Sequence, residues 1–262
     1  MTPEDFAALK RAVRLVEHPG LAARLTNIVG MPIELAGKML PASVSLVVSA
    51  AASHALKAAM RVALRSLVLQ RRFHASSPVM HRTLAAASGA AGGAFGLTGL
   101  PVELPISTIV MLRSIADIAR SEGEDLSDPE AALSCMQVFA LGGRSRADDA
   151  AASGYLAVRG VLANSVTEAA RFIARHGVIA EGSPMLVSFL ARVSTHFGIV
   201  VSQKVAAQAL PVIGALGGGA VNYVFAGHFQ DMARGHFTVR RLERHYGIDA
   251  VQTEYERFVG EL

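Results

Sequence analysis

The residues of this chain best suited to chemistry are polar side chains set inside apolar stretches: Glu103, Arg113, Asp117, Lys204, Asn222, His228 and Asp231. Arg113 and Asp117 lie four apart, a spacing that puts them on one helix face and allows an internal ion pair. Glu103 precedes them in a Pro-bracketed turn, Gly99-Leu100-Pro101-Val102-Glu103-Leu104-Pro105. His228 and Asp231, at i and i+3, could share a proton, with His236 further along. A metal there would need ligands from another helix, with Glu103 or Asp117 as suppliers, so no metal site is assigned. Lys204 and Asn222 flank a break at Pro211, where the Asn amide is suited to exposed backbone carbonyls. Buried charges persist only when paired. The seven residues therefore read either as structural pairs or as a polar pocket for a headgroup or small ligand.

No complete catalytic motif accompanies them. The chain has no Gly-x-Ser-x-Gly elbow, no His-Glu-x-x-His helix, no phosphate-binding loop and no dinucleotide fingerprint. No cofactor is implied and catalytic residues are left unassigned. The single cysteine, Cys135, excludes an intrachain disulfide and a thiolate cluster, which fits a reducing compartment.

The elements that must position these residues read as helices throughout. Thr2-Pro3, Ser77-Pro78, Asp128-Pro129 and Ser183-Pro184 each place a capping side chain before a first-turn proline. Gly123, Gly142-Gly143, Gly177 and Gly247 follow helical runs and are expected to end them in the left-handed conformation. No stretch alternates with period two, so the fold is predicted to be an all-α, compact bundle of about eight to ten helices with two Gly-rich, Pro-broken hairpins. Gly89 with Gly93, Gly92 with Gly96, and Gly214 with Gly218 form small faces suited to close helix packing, with a second copy of the chain as an alternative partner. The expected organisation is an amphipathic N-terminal extension over residues 1–40, a helical domain over 41–248 and a C-terminal helical tail over 249–262.

Composition decides among partners. Of 262 residues, 52% are hydrophobic and only 18% charged, a balance that demands a very apolar core or lipid. The net charge of +4 favours anionic partners, while the absence of Trp and the scarcity of Tyr leave no stacking surface for nucleic acid, so none is expected. Stretches 39–56, 83–102 and 205–230 lack Lys, Arg, Asp and Glu over roughly the 20 residues that flag a membrane span, and 185–203 is broken only by Arg192. Small residues and Pro breaks weigh against ordinary spans and leave interfacial insertion or a soluble core. Lys57, Arg61 and Arg65 recur at i, i+4 and i+8, followed by Arg71 and Arg72, and long basic side chains can hold their heads at phosphate depth. The same stripe is compatible with a solvated bundle face. The N-terminus lacks the basic, apolar and small-residue order of a secretory signal. The expected location is cytoplasmic, peripheral to the inner face of the cell membrane, with an anionic membrane surface or a membrane protein as partner.

Two segments together resemble a known family. Gly96-Leu97-Thr98-Gly99-Leu100-Pro101-Val102-Glu103-Leu104-Pro105 through Met111 to Arg120, and Leu210-Pro211-Val212-Ile213-Gly214-Ala215 with Gly218 to Tyr223, are similar to the signatures of the bacterial EcsC family. The resemblance implies an association with an ABC-type transporter, beside which the name-giving protein is encoded, and carries over no catalytic residue. A non-enzymatic, membrane-associated accessory role is therefore the expectation. The alternative is a hydrolase of a lipid or peptide, acting between the two segments.

Overall fold

The computed structural model describes residues 1–17, 20–38, 41–69, 80, 82–84, 99–143, 153–177, 183–209 and 214–262. Within them the chain forms ten principal helices and no strand. They are α1 (Pro3–Glu17), α2 (Leu21–Val29), α3 (Ile33–Lys38), α4 (Ala42–Leu69), α5 (Leu100–Ser121), α6 (Pro129–Leu141), α7 (Gly154–His176), α8 (Pro184–Gln208), α9 (Gly214–Tyr246) and α10 (Ile248–Val259). The predicted Ser77 cap, Arg71, Arg72, the glycines 89–96 and the Pro211 break lie outside the described residues.

Start signals work as their chemistry requires. Asp128 accepts from the Glu130 amide at 3.0 Å and Ser183 from the Leu186 amide at 3.3 Å. Thr2 accepts from the Asp5 amide at 3.2 Å while donating to the Asp5 carboxylate at 2.8 Å. Ser153 caps α7 through the Leu156 amide at 3.1 Å, a start that no proline announces. Gly123, Gly177 and Gly247 end helices at positive φ, as expected. Gly142 does not: it stays right-handed at φ −79°. The glycines there are required by space, because a Cβ on Gly143 would come within 2.2 Å of the His196 carbonyl oxygen on α8.

The Pro-bracketed segment is also not a turn. Leu100 to Pro105 form the opening of α5, with Pro101 in the first turn and Pro105 inside the helix. An early proline is tolerated because the first four amides have no intrahelical acceptor, and only Pro105 removes a helical bond.

Helix α9 is the axis of the bundle, contacted by α1, α2, α5, α6, α8 and α10. Its junction with α6 and α8 is aromatic: Phe139 lies 5.2 Å from both Phe197 and Phe229, and Phe225 packs edge-on to Phe229 at 5.2 Å. Helix α1 approaches α9 so closely at Gly235 that an added Cβ would stand 2.3 Å from Val16. The first helix thus shares the core through Leu9, Val13 and Val16. On the other side α4 packs against both α5 and α8.

Candidate functional site

The seven candidate residues divide among three places. Glu103, Lys204 and Asn222 converge from α5, α8 and α9. The Lys204 ammonium donates to both Glu103 oxygens at 2.9 and 2.7 Å, and the Asn222 amide donates to Glu103 Oε1 at 2.7 Å. Lys204 is 0% exposed and Glu103 6%, and the ammonium also stands 5.0 Å from the Phe225 ring. Burial pushes the Lys204 ammonium below its usual range, with the Glu103 carboxylate opposing that shift. The Asn222 amide thus serves a carboxylate, while the Pro211 break lies outside the described residues. This is a fastening between the two signature segments, with its charges satisfied by each other.

Arg113 and Asp117 lie further along α5, roughly 15 and 21 Å from Glu103 at about 1.5 Å per residue. Arg113 is exposed, and Asp117 pairs with Arg120 at 2.7 Å. The cleft beside them measures about 40 Å³, room for about one water and not for a ligand. Cys135 on its wall is fully buried, and burial pushes its thiol up to about 12, so it is not a nucleophile.

His228 and Asp231 occupy the third place. Asp231 is held by Arg24 at 2.7 Å and Arg234 at 3.1 Å, with Arg82 at 3.8 Å. His228 Nε2 lies 3.3 Å from the Gly142 carbonyl, and its Nδ1 has no hydrogen-bond partner among the described residues. Burial, then the charge of Arg24, lowers its pKa to about 4, so the ring is neutral. The described residues contain no group of three His, Cys, Asp or Glu side chains able to hold a metal ion.

Two buried networks escaped the sequence reading. His236 Nδ1 lies 3.0 Å from the Tyr155 hydroxyl, whose pKa burial raises to about 12, and Arg159 beside it donates two parallel hydrogen bonds to the Glu243 carboxylate at 2.7 and 2.5 Å. Glu17 accepts from Ser153 at 2.6 Å and Tyr255 at 2.8 Å, joining α1, the start of α7 and α10. The basic cluster ending α9 is likewise cross-linked: Arg240 and Arg244 hold Glu124, and Arg241 holds Glu122 and Asp5.

A large opening flanks the basic stripe of α4. A cleft of about 820 Å³ runs between α4 and α8, with Lys57 and Arg61 on its wall. Lys57, Arg61 and Arg65 are all exposed. The stripe they form extends upstream as Ser53, Ser49 and Ser45, each four residues apart. Arg65, the next step of the stripe, does not stand on the described wall of the cleft. The serines were legible as an i, i+4 series, but a hydroxyl series becomes a wall only when a second helix supplies the opposite side.

No curated protein and no solved structure matches the chain. The model of the EcsC protein family matches residues 5–242, from within α1 to near the end of α9, and takes in both Pro-bearing segments fastened by Glu103, Lys204 and Asn222. The chain belongs to the EcsC protein family.

Proposed function

We propose that the protein is a non-enzymatic accessory of the cytoplasmic membrane surface, docking on the anionic leaflet or on a membrane partner through α4 and α8. The supporting observation is incomplete burial of two long apolar helices. Ser43–Arg65 and Pro184–Gln208 are each long and apolar enough to cross a bilayer, yet only 39% and 33% of their most apolar windows are buried. A core helix of that composition would be mostly covered. Leu46 is 75% exposed and Val187 53%.

Charge supports the same face. Lys57 lies eleven residues beyond Leu46, roughly 16 Å along α4, so an apolar half gives way to a basic half. That order suits a helix lying at the interface with its cations at phosphate depth, where each basic residue contributes about 1 kcal/mol on an anionic leaflet. Candidate catalytic residues do not gather in the cleft, and the internal carboxylates and histidines are engaged in fastening the bundle. An ABC-type transporter is the first membrane partner to test.

Flotation of the full-length protein with neutral and anionic vesicles, at low and high salt, tests the reading. Binding to anionic vesicles alone, reversed by salt, is the expected result. Absence of flotation with either lipid would overturn it, and binding that resists alkaline carbonate would replace surface docking with insertion.

A further inference from the structure

We infer that the cleft between α4 and α8 is a groove for one monoacyl lipid, its chain lying between the two helices and its anionic head held by Lys57 and Arg61. This rests on the membrane reading in one respect, that the same two cations serve both the groove and the membrane face.

The cleft has the chemistry of an amphiphile site. Its floor is apolar, with Val48, Met60 and Leu190 buried beneath it. Among its hydroxyls, Thr195 donates to the Ala191 carbonyl at 3.1 Å and Ser202 to the Gly198 carbonyl at 2.8 Å. Side chains bonded back to their own helix present mainly methylene and methyl surface outward. Lys57 and Arg61 are the charged residues on the described wall, and no Asp or Glu stands among them to neutralise the pair. An uncompensated cation pair beside an apolar trough selects a ligand with one anionic end and one oily end.

Dimensions agree with a single chain. From Ser45 to Lys57 the groove follows twelve residues of helix, roughly 18 Å. One leaflet's acyl chain occupies half of a hydrocarbon core of about 30 Å, or roughly 15 Å. A chain laid from the Ser45 end therefore ends beside the two cations. The volume of about 820 Å³ lies within the range of small-molecule sites.

Gly198 makes the groove testable without disturbing the core. It lies on the α8 wall, and an added Cβ meets no atom within 4 Å. Gly198→Phe should fill the trough while improving helix propensity. The experiment titrates full-length protein, without vesicles, with a 16-carbon lysophosphatidate below its aggregation threshold, read by native mass spectrometry. The same-chain monoacylglycerol and glycerol 3-phosphate serve as chain-only and head-only probes. A 1:1 lysophosphatidate complex is expected, weakened at least tenfold by Gly198→Phe and by Lys57→Gln with Arg61→Gln, with thermal midpoints unchanged. Monoacylglycerol should bind more weakly than lysophosphatidate and be insensitive to the cation variant. Ser194→Phe, on the same wall, should repeat the blockade if Gly198→Phe misfolds.

Lysophosphatidate binding that survives both groove-filling variants, or glycerol 3-phosphate binding equally well, would overturn the groove. So would absence of the complex. Flotation of wild type on anionic vesicles without that complex overturns the groove alone, whereas the complex without flotation overturns the membrane reading and leaves the groove standing.

Discussion

The Glu103–Lys204–Asn222 cluster and the Lys57–Arg61 edge of the cleft both place cations among apolar residues, and they differ in what completes them. Lys204 finds a carboxylate and an aromatic face within its own bundle and is closed to solvent. Lys57 and Arg61 stand exposed above an apolar trough with no acidic residue on its described wall. A charge satisfied by three helices holds those helices together. A charge left facing outward beside an oily surface is available to a partner. The polar residues that attract attention in the sequence are therefore mostly fasteners, and the helix stripe is the surface we propose for binding.

The contrast can be broken most sharply at the buried pair. Glu103→Gln or Lys204→Met should each cost about 3–5 kcal/mol, because one change strands the other partner in the core, whereas the double variant should lose less than either single one. Urea unfolding of the three variants measures this, and additive losses would contradict a directly coupled pair.

Acid should find the interior next. Above pH 6.5 His228 is neutral whether the protein is folded or not. Between pH 6.5 and about 4 the unfolded chain takes up a proton that the buried ring refuses, so stability falls as pH falls, by about 3 kcal/mol from this residue. His236, held well below its usual range chiefly by burial, acts in the same direction. Unfolding midpoints at pH 7 and 4.5 check the slope, which His228→Gln should flatten.

Smaller effects follow at the helices packed around α8. Gly143→Ala drives a methyl into the His196 carbonyl and should cost about 1–3 kcal/mol by displacing α6 from α8. Thermal melts measure the loss. By contrast, Lys57→Glu with Arg61→Glu should change stability by no more than about 0.5 kcal/mol while altering lipid binding, since neither side chain is buried.

How much of this was legible in the sequence follows from the range of each interaction. Asp128 and Ser183 announce their helices because a cap is satisfied within three residues. Even so, Leu100 to Pro105 read as a turn, since a second proline usually marks a break and only the neighbouring helices make its lost bond tolerable. The partners of Lys204, Asn222 and Glu103 are about a hundred residues apart, so their types were visible and their meeting was not. Ser153 has no following proline to mark it in the sequence, although it both caps α7 and holds Glu17. The basic stripe on α4 was evident from spacing alone, but the cleft beside it required α8.

The most direct test of the central claim compares two charge reversals of equal size on vesicles of anionic lipid at low salt. Lys57→Glu with Arg61→Glu alters the cleft edge, while Arg171→Glu with Arg175→Glu alters exposed positions on α7 and leaves the same net charge. If the α4 face is the docking surface, the first variant loses flotation and the second keeps it. Equal loss in both would mean that overall charge, and no particular face, brings the protein to the membrane.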